Sequence, residues 1–351
     1  MAKVDVVVPC YNYGRFLEVC VRSVLEQSMG DLRVLIIDDA SSDNSLLVAT
    51  KLAEGDRRVS VVSHVQNQGH INTYQEGIAQ ASADYFLLLS ADDMLVPGAL
   101  ERAAAIMDAN PDVVLTYGKY IEWRDELPLP TINVQQSNDW VKQDFIRDSC
   151  EYGGCLVSTP TAIVRTSTQK AIGGYRASLP HSADLEMWLR FAAHGAVARI
   201  EAVQAIYRWH SSNMSSAYYD RDLPDMQQRK EAFDIFFDEY GHRVADARKL
   251  QERAVRVLAE KVFWSGIIRL CRGHIDSGRR LLRFAFNLDP SLRYRPPLKR
   301  GPSAFAGASS RLLGRGKRAL LRGRYTLSPM LKAWHMALRR NGPWRAGRTG
   351  S

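Results

Sequence analysis

The feature that most constrains this chain is an alternation between two hydrophobic periods over residues 4–89. Residues 4–9, Val-Asp-Val-Val-Val-Pro, form a β-branched run stopped by proline, which predicts a strand. Phe16, Val19, Cys20, Ser23, Val24 and Gln27 then fall at helical spacing, which predicts a helix over 16–27. A second strand over 32–37 ends on Asp38-Asp39, and Ser41-Ser42-Asp43-Asn44 opens a helix to about residue 54. A third strand over 59–64, a turn at Asn67-Gln68-Gly69, a helix to about residue 81 and a fourth strand over 84–89 follow. The fourth strand runs into Ser90-Ala91-Asp92-Asp93. This β-α-β-α-β-α-β order with short connections predicts a doubly wound α/β fold, a mostly parallel sheet with helices on both faces.

In such sheets ligands bind outside the carboxyl ends of the strands. Tyr11 follows strand one, Asp38-Asp39 strand two and Asp92-Asp93 strand four, so three polar clusters fall at that edge. Two adjacent carboxylates repel each other when sequestered from water, and a divalent cation relieves the repulsion. Carboxylate oxygens suit Mg2+ or Mn2+. Asp92-Asp93-Met-Leu-Val-Pro-Gly also reads as a turn or helix cap, and Asp38-Asp39 as a cap before Ser41-Ser42. Asp39 could accept a nucleobase N–H, and Tyr11 offers a flat face for a base.

Further along, Pro97-Gly98-Ala99-Leu100 opens a helix, and 113–117 reads as a strand. Residues 121–150 lack periodicity and read as a loop region over the site. Residues 157–165 are strand-like, a helix starts at Ser182 or Asp184, and 197–207 gives a strand or two. From 223 to 287 the pattern is helical. The 46% hydrophobic content supports a core without staples. The five cysteines form no C-x-x-C pair and read as reduced, mostly buried thiols. No run approaches the ~18–20 apolar residues of a membrane span. The N-terminus shows no apolar signal core, so a cytoplasmic location is expected.

The net charge of +9 hides an asymmetry. From Ser291 to Ser351 there are 15 Lys and Arg and no Asp or Glu, which leaves 32 basic against 38 acidic residues elsewhere. Residues 291–351 are expected to be a basic, partly disordered tail. Leu312, Leu320, Trp334 and similar residues among its arginines suit an anionic membrane surface. No recognisable module supports nucleic-acid binding.

Taken together, Val-Val-Val-Pro-Cys-Tyr-Asn-Tyr, Ser-Val-Leu-Glu-Gln-Ser, Leu-Ile-Ile-Asp-Asp-Ala-Ser-Ser-Asp-Asn-Ser, Asn67-Gln68-Gly69 and Leu88-Leu89-Ser90-Ala91-Asp92-Asp93 resemble glycosyltransferase family 2. Gly173-Gly174-Tyr175 and Ala183-Asp184-Leu185-Glu186-Met187-Trp188 continue the likeness, which covers about residues 4–215. The resemblance implies a GT-A fold and inverting transfer from a nucleotide-diphosphate sugar, with a UDP-sugar the expected donor. A cell-envelope glycan or lipid-linked saccharide is the expected acceptor. By motif position, Pro9, Tyr11, Asn12, Asp39, Asn67, Gly69, Asp92 and Asp93 would bind the nucleotide sugar. Asp93, Asp92 and His210, the last within Tyr207-Arg208-Trp209-His210, would hold the metal. Asp184 would be the catalytic base. Residues 1–220 would form the catalytic domain, with nucleotide-sugar binding in 1–118 and the acceptor part in 119–220. A helical extension over 221–290 and the tail would follow.

The chain departs from the family pattern at Ser90, Ala183 and Tyr74-Gln75, where relatives carry Asp, Glu and Arg-Asn. His181 or Glu186 could take over the role of the glutamate missing at Ala183. His70 reads as a solvent-facing helix residue, Glu186 and Arg190 as a surface ion pair, and Trp188 as core. Trp123 and Trp140 are the candidates for sugar stacking. Two other readings stay open. Nucleotidyl transfer would want a glycine-rich basic loop after strand one, which Pro9-Cys10-Tyr11-Asn12-Tyr13-Gly14 is not. A non-catalytic sugar-nucleotide-binding or scaffold protein with a degenerate site is the second.

Overall fold

The computed structural model of the chain describes residues 3–132, 136–213 and 222–297. The expected membrane-binding tail lies outside them from residue 298 on. Strands β1 (Val4–Cys10), β2 (Leu32–Asp38), β3 (Val59–Ser63) and β4 (Tyr85–Leu88) alternate with helices α1 (Gly14–Leu25), α2 (Ser45–Gly55) and α3 (His70–Gln80). Then come β5 (Met94–Leu95), α4 (Ala99–Ala109), β6 (Val113–Arg124), β7 (Trp140–Gln143) and α5 (Phe145–Tyr152). They are followed by β8 (Ile163–Arg165), α6 (Thr166–Ile172), α7 (Ala183–Ala192) and β9 (Ala196–Trp209). Three long helices close the described chain: α8 (Asp222–Tyr240), α9 (Ala247–Cys271) and α10 (Ile275–Leu288).

The nine strands form one sheet in the order β3-β2-β1-β4-β8-β6-β9-β5, with β7 pairing β9. β3, β2, β1 and β4 are parallel, as the alternation requires. Beyond β4 the sheet is mixed: β8 is antiparallel to both β4 and β6, while β6 and β9 run parallel. The two-residue side-chain period feeds two cores. Val4, Val6 and Val8 of β1 pack with Leu17, Val21 and Val24 of α1 and Leu100 of α4 on one face. Val7 packs with Ile78 of α3, Phe145 of α5 and Leu185 and Leu189 of α7 on the other. Helices therefore cover both faces. Phe233 and Phe236 of α8 belong to that second core. A third cluster joins Val262 and Phe263 of α9 to Leu281 and Phe286 of α10.

Residues 121–150 are more ordered than their composition suggests. β6 runs on to Arg124 against β9, with register shifts near Gly118, and β7 and α5 follow. Ile121 and Trp123, on one face of β6, pack against the first core, and pairing with β9 holds the exposed residues between them. Conversely, the strand expected over 157–165 shrinks to Ile163–Arg165. Pro160 sits in a 3-10 turn just before it, where its missing N–H costs no ladder bond.

Glu186 and Arg190 are not a surface pair. Both side chains are buried, and Arg190 Nε lies 2.8 Å from Glu186 Oε1. The Arg190 guanidinium also donates to the carbonyls of Ile172 (2.6 Å) and Gly174 (2.7 Å), and Arg176 reaches the same carboxylate. The pair ties α7 to the Gly173-Gly174-Tyr175 turn. A Cβ on Gly174 would fall 1.4 Å from Gln75 Oε1, so only glycine allows this approach. Gln75 in turn bonds both the N–H and the carbonyl of Tyr175. Among the described residues no helix is long and apolar enough to cross a membrane.

Candidate active site

Because β2, β1 and β4 are neighbours, the segments leaving their carboxyl ends converge at one edge of the sheet. Pro9 lies in β1 beyond Val7, the last residue paired with β4, where a missing N–H is tolerated. Tyr11 follows with 48% of its surface exposed, its ring free to meet a ligand. Asn12 takes a left-handed backbone (φ 57°). Its Oδ1 accepts the N–H of Ser42 (2.7 Å), and its own N–H donates to Ser41 Oγ, so Asn12 joins the loops after β1 and β2.

Asp39 is 4% exposed. Its Oδ1 accepts the Gln68 N–H (2.7 Å) and faces His64 Nδ1 (2.7 Å), and its Oδ2 accepts the Gly69 N–H (2.9 Å). Burial alone would raise its pKa, but these donors and the His64 charge outweigh burial and hold the carboxyl below its ordinary value. A carboxylate offers about four acceptor positions, so one remains for a ligand N–H. The turn that supplies the donors is shaped by Asn67, which accepts the Gly69 N–H and donates to the Asp39 carbonyl. Gly69 has φ 82°, a conformation that only glycine adopts without strain.

Asp92 and Asp93 occupy the turn between β4 and β5 and are 5% and 2% exposed. Asp92 Oδ2 accepts from Asn213 Nδ2 (2.9 Å) and faces His210 Nε2 (3.1 Å). Asp93 Oδ1 accepts the backbone N–H of Arg208 (2.9 Å). Burial, followed by the charge of Asp92, pushes the Asp93 carboxyl well above the usual range. The nearby Arg208 guanidinium donates to the Asp92 carbonyl (2.9 Å) and pairs with Asp125 (3.0 Å), not with either carboxylate of the pair. It lies between the rings of Phe16 (4.7 Å) and Trp123 (4.5 Å), so Trp123 offers a face to a cation rather than to a sugar. Trp140, in β7, is half-buried.

The donor set fits a divalent ion that takes one or two protein carboxylates and completes its shell with phosphate oxygens and water. It does not form a preassembled cage: among the described residues no three His, Cys, Asp or Glu side chains are grouped to hold a metal. His210, the expected third ligand, is placed beside the pair, its Nε2 3.1 Å from Asp92 Oδ2. Its Nδ1 accepts the Ser212 N–H (3.2 Å), which makes Nε2 the protonated nitrogen facing Asp92. Phe16 (4.6 Å) and Tyr13 (5.5 Å) pack on its ring.

Asp184 sits in the first turn of α7, half-buried, its Oδ1 accepting the Leu185 N–H (2.7 Å). Burial raises its pKa, against the Leu185 N–H and the charges of His181 and Arg229. Tyr74, half-buried on α3, feels Asp92, Asp184 and Asp93 together, and desolvation with these charges pushes its phenol upward. Tyr74 therefore stands within electrostatic reach of both carboxylate groups and links the two halves of the site. Glu186 faces Arg176 and Arg190, so it does not replace the glutamate missing at Ala183. His181 Nε2 pairs with Asp225 of α8 (2.9 Å), and its N–H donates to Gln228 (2.8 Å). His70 bonds the Pro180 carbonyl (3.1 Å) instead of facing open solvent.

Sequence reasoning passed over His64, Asn213 and Cys155 as site neighbours. Cys155 lies beside Asp184, and burial with that charge raises its thiol pKa well above normal. Nothing in one sequence shows Asn213 reaching Asp92. Cys10, Cys20 and Cys150 are buried free thiols, as expected.

A parallel four-strand half carrying an acidic pair after β4, joined to a mixed half carrying Asp184, defines the GT-A glycosyltransferase fold. Residues 5–165 match the model of glycosyl transferase family 2. An uncharacterized glycosyltransferase of Haemophilus influenzae is 26% identical over 224 residues, covering 61% of this chain and 68% of that protein. Glycosyltransferase GlyG of Streptococcus pneumoniae is 27% identical over 153 residues, covering 39% of this chain and 51% of its own length. Among solved structures, S. aureus TarS 1–349 in complex with UDP-GlcNAc aligns with TM-score 0.54 at 17% identity, covering 84% of this chain and 93% of that one. Mannosyltransferase PcManGT from Pyrobaculum calidifontis, in complex with GDP-Man and Mn2+, aligns with TM-score 0.55 at 15% identity, covering 98% and 88%.

Proposed function

We propose that the protein is a metal-dependent inverting glycosyltransferase that moves a sugar from a nucleotide-diphosphate donor, a UDP-sugar, to a hydroxyl of a cell-envelope glycan or lipid-linked saccharide. The observation that carries this reading is the placement of two acidic centres, the buried pair Asp92–Asp93 and the half-buried Asp184, within electrostatic reach of the same Tyr74. Asp39 accepts the nucleobase N–H, and the exposed Tyr11 ring covers the base. Asp93 and Asp92 would hold Mg2+ or Mn2+, which supplies positive charge against the departing diphosphate. His210 and Asn213 fix the Asp92 carboxylate.

Asp184 takes the proton from the acceptor hydroxyl as that oxygen bonds the anomeric carbon. The bond from that carbon to the β-phosphate oxygen breaks, and its electron pair leaves with the nucleoside diphosphate. A carboxylate whose pKa burial raises above its ordinary value suits this transfer. The basic tail would bring the enzyme to the inner face of the membrane, where lipid-linked acceptors lie.

A screen of nucleotide sugars for donor turnover, with and without Mn2+, tests the class. Asp184→Asn should lower turnover by about 10²–10⁴-fold while nucleotide binding is kept. Unchanged turnover removes Asp184 as the base, and absence of turnover with every donor favours a sugar-nucleotide-binding protein.

A further inference from the structure

The Asp39 carboxylate does not stand alone behind its two backbone donors. His64, the residue after β3, is held beside it because its N–H donates to the Asp38 carbonyl (2.9 Å). The side chain is 5% exposed. Nδ1 lies 2.7 Å from Asp39 Oδ1, and Nε2 lies 2.7 Å from Glu76 Oε2 on α3. Ionised carboxylates only accept hydrogen bonds, so both contacts require an imidazole ring that carries a proton on each nitrogen. Glu76 is anchored in turn, its Oε1 accepting from Gln80 (3.1 Å).

We propose that His64 is a positioning residue for nucleotide recognition: an imidazolium strung between Asp39 and Glu76 that keeps the Asp39 carboxylate anionic and aimed at the nucleobase. This rests on the reading of Asp39 as the residue that accepts the base N–H. A buried carboxylate with no cation beside it drifts toward its neutral form, and a protonated Asp39 could not accept from an N–H at the occupied oxygen. Two backbone donors hold the carboxyl group in place, and the ring sets its charge. Glu76 matters because it takes the second ring proton and makes the cation, not the neutral ring, the favoured form.

Asp39 from the end of β2 and Glu76 from α3 are the charged groups that act on the ring among the described residues. Burial disfavours the charged ring, but the two carboxylates outweigh burial and raise its pKa above the ordinary histidine value. As pH climbs through that raised value the ring loses one N–H, and nucleotide affinity should fall with it.

The test is calorimetric binding of UDP with Mn2+ to the full chain across pH 6–9, with melting curves on each variant. In His64→Asn the amide N–H stands near the Nδ1 position and still reaches Asp39; in His64→Gln it stands near Nε2 and reaches Glu76 instead. H64Q should weaken UDP by about tenfold or more at pH 7, and H64N, which keeps the donor to Asp39 but not the charge, by an intermediate amount of about threefold. H64N should also lose the alkaline decline of the wild type, because an amide does not titrate in this range. Equal affinities in H64N and H64Q, or a wild-type affinity that is flat with pH, overturn the inference. Asp39→Asn separates its premise: if D39N leaves UDP binding unchanged, the base-recognition reading fails and the inference with it. If D39N weakens binding and H64Q does not, the inference alone fails. Should H64Q not fold, the pH profiles of wild type and H64N still decide.

Discussion

Asp39 and Asp93 leave strands that flank β1 on either side, and both are almost fully buried. Their electrostatic situations are opposite. Asp39 is surrounded by two backbone N–H groups and a histidine, and its carboxyl is held below the usual range. Asp93 has one backbone N–H and a second carboxylate beside it, and its carboxyl is pushed up. The first centre is complete without a ligand, as suits an acceptor that must be preorganised for a neutral base. The second lacks positive charge, as suits a centre finished by a cation that arrives with phosphate. Weak metal binding without donor, tightening with nucleotide sugar, follows from that contrast.

The contrast breaks most visibly at Asp93→Asn. Transfer should fall by roughly 10³-fold, since the ion that would offset charge on the leaving diphosphate loses a protein ligand. The same variant should melt higher than wild type without ligand, because one of two repelling charges is gone. Activity assays paired with thermal melting check both signs, and a lower melting temperature would contradict the deficit of positive charge. Asp39→Ala should do the reverse to the fold. Its removal strands the Gln68 N–H and the His64 ring, while Gly69 keeps Asn67 as acceptor, at a cost of about 2–3 kcal/mol. A urea titration reads this as a lower midpoint with an unchanged slope.

How much of this was legible in the sequence follows the same divide. The first four strands and the residues at their ends could be read because β-branched runs and helical spacing alternate cleanly up to Leu89. The pair Asp92–Asp93 could be placed at an edge, but its charge deficit could not: Arg208 lies more than a hundred positions away, and only the fold shows that its guanidinium goes to the Asp92 carbonyl and Asp125. Glu186 and Arg190 were legible as an i,i+4 pair. Their burial was not, because the carbonyls of Ile172 and Gly174 that receive Arg190 belong to a turn before the helix. β6 beyond Gly118 was missed because only Ile121 and Trp123 turn to the core there, too short an alternation to read, and the partner strand β9 lies far along the chain.

Lys261 on α9 carries the contrast outside the site. It is 6% exposed, its Nζ has no hydrogen-bond partner among the described residues, and it lies 3.8 Å from the centre of the Tyr152 ring. Burial, helped by the Arg229 charge, lowers its pKa to about 7. Between that value and the ordinary 10.5 the unfolded chain holds a proton that the folded chain has released, so stability should rise with pH through this window. Lys261→Met should remove that rise and stabilise the protein at pH 7 by roughly 1–2 kcal/mol. Urea midpoints at pH 7 and 9 for both proteins provide the check.

The smallest effect is also the sharpest test of the two carboxylates, because their signs differ. Asp39 has a depressed folded pKa, so its stabilisation is present above the ordinary carboxylate value of 3.8 and is lost as pH falls through the folded value. Asp93 has a raised folded pKa, so the folded chain holds a proton that the unfolded chain has released. Its contribution makes stability fall as pH rises from 3.8 through the raised value. The stability gain in Asp93→Asn should therefore be largest at neutral pH and vanish as both states become protonated. The stability loss in Asp39→Asn should likewise be largest at neutral pH and shrink only in strong acid. Mn2+ with UDP should erase the Asp93→Asn gain, because the ion then supplies the missing charge, and should leave the Asp39→Asn loss in place. Denaturant midpoints from pH 4 to 8, with and without Mn2+ and UDP, read all of these differences. Difference curves of the same sign for the two variants would mean that Asp39 and Asp93 share one electrostatic environment after all.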